Sequence, residues 1–144
     1  MSVEKNGFVK WVVLSLVLSF ALVIALGWPR YQKSKTLHLA KKAMERGKEI
    51  AYLQESFKKR YGMYMPDLNR LDYSFTCSSL PDTRDLACDE YVYEMEAALL
   101  RVRHQTRPSW FEIHIAEGWV DCSHAEQIIQ ESRLCNPGRM PEFL

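Results

Sequence analysis

The sequence predicts an α+β fold: one long N-terminal helix packed on a small antiparallel sheet, with loops pinned by disulfides. Three observations carry this. Residues 11–28 form an apolar run without a charge. Beyond Pro29, apolar residues recur at gaps of three and four, the helical period. After residue 90 the alternation changes to period two, the mark of half-buried strands.

Composition bounds the function. The chain has 144 residues, 47% hydrophobic and 26% charged, which is one ordinary globular domain rather than a disordered or fibrous chain. A net charge of +1 gives no electrostatic footprint for nucleic acid, so no nucleic-acid partner is expected. A mean hydropathy of −0.27 excludes a polytopic membrane protein.

The apolar run is the first element. With Phe8 and Val9 it reaches the length of about 20 residues that a helix needs to cross a bilayer core. Lys10 is its one charge. A removed secretory signal would have a shorter apolar region and a small-x-small cleavage site. Gly27-Trp28-Pro29-Arg30 follows instead, so a retained transmembrane helix over 8–29 is expected. Trp11 and Trp28 mark its ends, where amphipathic rings favour the headgroup level. Ser15 and Ser19, like Ala21 and Ala25, are four apart, a spacing that lets helices approach closely. The plain alternative is that a lipid-facing helix simply tolerates small residues.

Residues 30–62 continue as an amphipathic helix. Leu37, Ala40, Met44, Gly47, Ile50, Leu53, Phe57 and Tyr61 form its apolar stripe, with Lys, Arg and Glu between them. Pro29 would kink this helix rather than end it. Gly62 is a natural stop and Pro66 prevents resumption. The expectation is one long, bent helix from Phe8 to about Tyr61. Residues 63–89, rich in turn formers, read as an irregular connection.

Strands follow. Tyr93 and Met95 alternate with Glu94 and Glu96, Leu100 and Val102 with Arg101 and Arg103, and Phe111, Ile113 and Ile115 with Glu112 and His114. A tight turn at Glu117-Gly118 leads into Trp119 and Val120. This is an antiparallel meander whose apolar face covers the helix. Its outer face reads acidic, basic, acidic, which favours cross-strand ion pairs. Arg101, Arg103 and Arg107 are then a paired, solvated face, with a ligand patch as the alternative. Residues 125–134 suit a short helical turn, and the residues after Cys135 a loose tail.

Cys77, Cys88, Cys122 and Cys135 all follow the membrane segment. Sequence order favours Cys77–Cys88 and Cys122–Cys135, although three pairings are open. Zinc at Cys122, His124 and Cys135 lacks the usual C-x2-C spacing, and free thiols are a further alternative. Disulfides imply an oxidising compartment. The basic residues Arg30, Lys33, Lys35, Lys41 and Lys42 would by the positive-inside rule put the C-terminal part in the cytoplasm. The cysteines outweigh that count, because cations beside anionic headgroups are tolerable.

Lys5-Asn6-Gly7-Phe8, the apolar helix after it, and Pro29-Arg30-Tyr31-Gln32 at its end together resemble the N-terminus of type IV pilins and pseudopilins. Those proteins carry a short basic leader ending in Gly, and Phe as first mature residue. The layout downstream is similar too: amphipathic helix, loop, small sheet, C-terminal disulfide loop. The stretch from Tyr61-Gly62-Met63-Tyr64 to Leu68-Asn69-Arg70-Leu71 resembles the helix exit of bacterial pilins.

The resemblance implies a leader of residues 1–7 removed by a prepilin peptidase between Gly7 and Phe8, and N-methylation of Phe8. It implies a single pass of the inner membrane with residues 63–144 in the periplasm. It also implies packing on other pilin-like subunits through Ser15, Ser19, Ala21, Ala25 and Pro29. The family's Thr-Leu-Ile-Glu is here Val9-Lys10-Trp11-Val12. A filament subunit is thus expected, and a signal-anchored envelope protein with a periplasmic binding domain is the alternative.

No catalytic residues, cofactor or metal site are expected. Asp121, Cys122, Ser123 and His124 are adjacent, so their side chains diverge. His104, His114 and His124 have no metal-ligand spacing, and no Gly-rich phosphate loop is present.

Overall fold

The computed structural model describes residues 3–135, with side chains from residue 6. The tail after Cys135 lies outside the described residues. The chain divides into two units, residues 1–36 and 37–144.

Helix α1 (Val3–Tyr61) has 59 residues and continues through Pro29. Pro29 lacks the N–H that would bond the carbonyl of Ala25, yet the residues on both sides stay helical. In the first unit every side chain from residue 6 to 35 is exposed. A helix that is apolar all round needs an apolar surrounding.

In the second unit, α1 buries Ala40, Ala43, Met44, Gly47, Ile50, Ala51 and Gln54. The stripe is rotated from the expected one. Tyr61 is exposed and leans tilted against Phe57 with centroids 4.4 Å apart, and Leu53 is half-buried. Small residues decide the rotation, because they let the sheet approach the helix. A Cβ on Gly47 would stand 2.7 Å from Ile113 Cδ1 and 3.6 Å from Val102 Cγ2.

Six strands form one sheet in sequence order, all neighbours antiparallel: β1 (Ser78–Ser79), β2 (Leu86–Cys88), β3 (Tyr91–Glu96), β4 (Leu99–His104), β5 (Trp110–His114) and β6 (Trp119–Asp121). The alternation predicts β3 to β5, and the turn at Glu117-Gly118 predicts β6. Strands β1 and β2 correct the irregular connection expected over 63–89. They are too short for alternation to show, and they exist by pairing with each other and with β3.

The register sets the faces. Tyr93 opposes Val102, which opposes Phe111, and Leu100 opposes Ile113; all five are buried. On the other face Glu94, Arg101, Glu112 and Asp121 form one row across β3 to β6. The Tyr93 hydroxyl donates to the carbonyl of Ala43 at 3.2 Å, joining the sheet to α1.

The chain then leaves the helix under control. Gly62, at φ 78°, donates its N–H to the carbonyl of Lys58, the expected stop. Buried Gln54 accepts from the N–H of Met65 at 2.7 Å and donates to its carbonyl at 2.8 Å. Glu49 accepts from the N–H and hydroxyl of Ser74, both at 2.7 Å. Arg46 reaches Asp89, at the β2–β3 turn, at 2.6 Å and lies over the Phe75 ring. A short helix α2 (Gln127–Gln130) occupies the expected helical turn.

Replacing Gln54 by Leu strands two backbone groups of Met65. The expected loss is about 1–3 kcal/mol of unfolding free energy in chemical denaturation. A variant as stable as the wild type would show that water replaces the amide.

The Arg46 hydrogen bond holds the Asp89 carboxyl below its usual range. A lowered folded value adds stability above about pH 4 that fades as the pH falls through that lowered value. Asp89→Asn keeps a residue that tolerates the φ of 53° here. The gap in melting temperature between wild type and variant should narrow on going from pH 6 to pH 3. A gap independent of pH would contradict the assignment.

Candidate functional site

The residues singled out from the sequence fall into three places. Gly7, Phe8, Ser15, Ser19, Ala21, Ala25 and Pro29 lie on the exposed apolar part of α1. The Ser19 hydroxyl donates to the carbonyl of Ser15 at 2.8 Å. Its donor is therefore satisfied within the helix, and that face can meet lipid or another helix without an unpaired polar group. The apolar part contains an 18-residue window of mean hydropathy 2.5, none of it buried, so α1 is long and apolar enough to cross a membrane.

The cysteines occupy the second place. Cys77 pairs with Cys88 and Cys122 with Cys135, with Cα–Cα distances of 4.9 and 5.9 Å. The first pair ties the segment entering β1 to the end of β2. The second ties the end of β6 to a 3-10 turn at Arg133–Cys135, past α2. Two disulfides fit an oxidising compartment.

The outer sheet face is the third. Arg101 Nε stands 3.0 Å from Glu112, Arg103 Nη2 2.8 Å from Glu94, and Arg107 Nη1 2.7 Å from Glu126. The alternating charges predict the two pairs on β4, whereas Arg107 lies in the β4–β5 loop and pairs with Glu126 just before α2.

The histidines separate. Buried His104 accepts at Nδ1 from the N–H groups of Thr106 and Arg107, and its Nε2 faces both the Arg107 guanidinium at 2.8 Å and Glu90 at 3.2 Å. It shapes the β4–β5 turn. His124 stacks on Trp110 at 4.5 Å and His114 on Trp119 at 4.0 Å. Asp121 accepts from the Ser123 N–H at 2.8 Å while Cys122 turns into its disulfide, so these neighbours do diverge.

Sequence reasoning missed Gln54, Asp89 and the row that sets Glu112 beside Asp121. Gln54 follows Ile50 by four positions, so its place on the buried stripe was the one available signal.

No family model matches the chain, and no curated protein or solved structure matches it. Its function is therefore argued from its own residues.

Peptide mapping without reduction should recover Cys77–Cys88 and Cys122–Cys135 as linked peptides. Replacing both Cys122 and Cys135 by Ala should cost about 3 kcal/mol, the chain-entropy value for a loop of this size. Free thiols at 122 and 135 in protein kept under native conditions would refute the pairing.

Proposed function

We propose that the chain is a pilin-like structural subunit, a minor pilin or pseudopilin of a type IV pilus or type II secretion filament. The observation that supports this most is α1 itself. One uninterrupted helix is apolar and uncovered over its first part, and its second part is packed on a sheet.

In this reading a prepilin peptidase cuts between Gly7 and Phe8, and the new amine of Phe8 is methylated. The helix rests in the inner membrane with the disulfide-bonded sheet in the periplasm. On assembly, Ser15, Ser19, Ala21, Ala25 and Pro29 meet other pilin-like helices. The protein has no catalytic role; its work is to present the sheet unit.

One residue favours a second reading. Val12 stands where pilins carry a glutamate thought to meet the Phe amine of a neighbour. A chain without that carboxylate serves equally as a signal-anchored envelope protein that never enters a filament. A minor subunit at a tip or at initiation reconciles Val12 with the first reading, since it needs no such contact with a subunit ahead.

N-terminal sequencing of the membrane-extracted protein separates the two. A chain beginning at methylated Phe8 supports the subunit, and a chain that keeps its leader supports the anchor. Val12→Glu should change the copy number of the subunit in sheared filaments. Absence of both wild type and variant from filaments, with piliation and secretion unchanged on deletion, would sink the subunit reading.

A further inference from the structure

We infer that the outer face of β5 and β6 binds a zinc-class divalent cation through His114, Asp121 and Glu112. Glu112 and Asp121 are directly opposed in the β5–β6 register, and His114 follows Glu112 by two on the same face. One donor atom from each of the three lies within 4.8 Å of the others. Like charges directly opposed across strands repel. Arg101, on β4, meets one oxygen of Glu112 at 3.0 Å from the side of β5 away from β6. The Ser123 N–H donates to Asp121 at 2.8 Å.

The independent observation is His114. Its Nε2 is buried and has no hydrogen-bond partner, a costly state for a ring nitrogen in either tautomer. The imidazole lies flat on Trp119, with planes 7° apart, which fixes its orientation. A bound cation relieves both defects. It accepts the imidazole lone pair and neutralises the opposed carboxylates.

One imidazole with two carboxylates suits a divalent first-row cation, for which zinc is the probe, and three protein donors leave a position for water. Zinc ligands stand about 3–3.5 Å apart, so carboxylate rotations on the order of 1 Å complete the site. Arg101 on Glu112 and the Ser123 N–H on Asp121 orient the two carboxylates from behind, as outer partners do in metal sites.

The test uses the full chain, extracted in detergent and free of any polyhistidine tag, dialysed against buffered zinc and assayed for bound metal. The expected result is one zinc per chain, with cobalt giving the visible absorption of a low-coordinate site. His114→Gln and Asp121→Asn should each weaken zinc at least tenfold. His38→Gln, on the helix, should leave it unchanged. Circular dichroism confirms that the variants are folded, and Glu112→Gln gives a third, isosteric check. No zinc bound by the wild type, or zinc bound equally by folded His114→Gln, overturns the proposal.

Discussion

At Gly47 the helix meets the sheet with no room for a side chain: a Cβ there would fall 2.7 Å from Ile113 Cδ1. This approach fixes the distance between α1 and strands β4 and β5. Ala40, Ala43 and Ala51 lie along the same stripe and keep the approach close for several turns. The Tyr93 hydroxyl can then reach the carbonyl of Ala43. Burial raises the pKa of that hydroxyl well above its ordinary value, so it stays a donor. The polar residues bordering the stripe become anchors. Arg46, Glu49 and Gln54 each hold a different downstream segment: the β2–β3 turn, the loop at Ser74 and the helix exit at Met65. One helix face thereby organises segments that have few apolar residues of their own.

The two disulfides act where that organisation thins out. The meander has two edges, β1 with two residues and β6 with three. Short edges resist pairing with foreign strands, but they contribute little burial. Cys77 lies immediately before β1 and Cys122 immediately after β6. Each edge is therefore held covalently, β1 through its neighbour β2 and the end of β6 through the turn past α2. A unit of this size buries a limited share of its surface, which is the circumstance in which crosslinks matter most.

Much of this is legible in the residues, and the rest fails for identifiable reasons. The apolar run and strands β3 to β5 follow from periodicity, because each is long enough to repeat, while the helix stop follows from Gly62 and β6 from the turn ahead of it. The turn at Gly118 is legible because glycine supplies its φ of 71°. The β3–β4 hairpin turns through Ala97 and Ala98, where Ala97 adopts a φ of 52° with no glycine or asparagine to announce it. Strands β1 and β2 are shorter than any period. The rotation of the buried stripe was hidden because Ala43 and Ala51 rank as weakly apolar while Tyr61 ranks as strongly so. Their order reverses when close approach, rather than apolar area, decides which face turns inward. The row Glu94, Arg101, Glu112 and Asp121 needs the register of four strands, which depends on contacts far apart in the sequence.

Charge along α1 constrains what an assembly of this chain could be. Residues 8–44 contain no carboxylate; the first is Glu45. They contain Lys10, Arg30, Lys33, Lys35, Lys41 and Lys42. On the filament reading, the amine released at Phe8 has no counter-charge in its own membrane segment. Nor has it one in the same segment of an identical neighbour, so copies stacked on one another would set positive beside positive. An unpaired charge at membrane depth costs several kcal/mol, comparable to the stability of a whole small domain. On that reading a filament built from this chain alone is disfavoured by the same arithmetic that allows it as a rare member. The subunit that receives the Phe8 amine must carry an acidic residue in its own apolar helix. With the leader retained the problem does not arise, because no amine is released at Phe8. The presence of a carboxylate-bearing companion thus belongs to the filament reading and to no other.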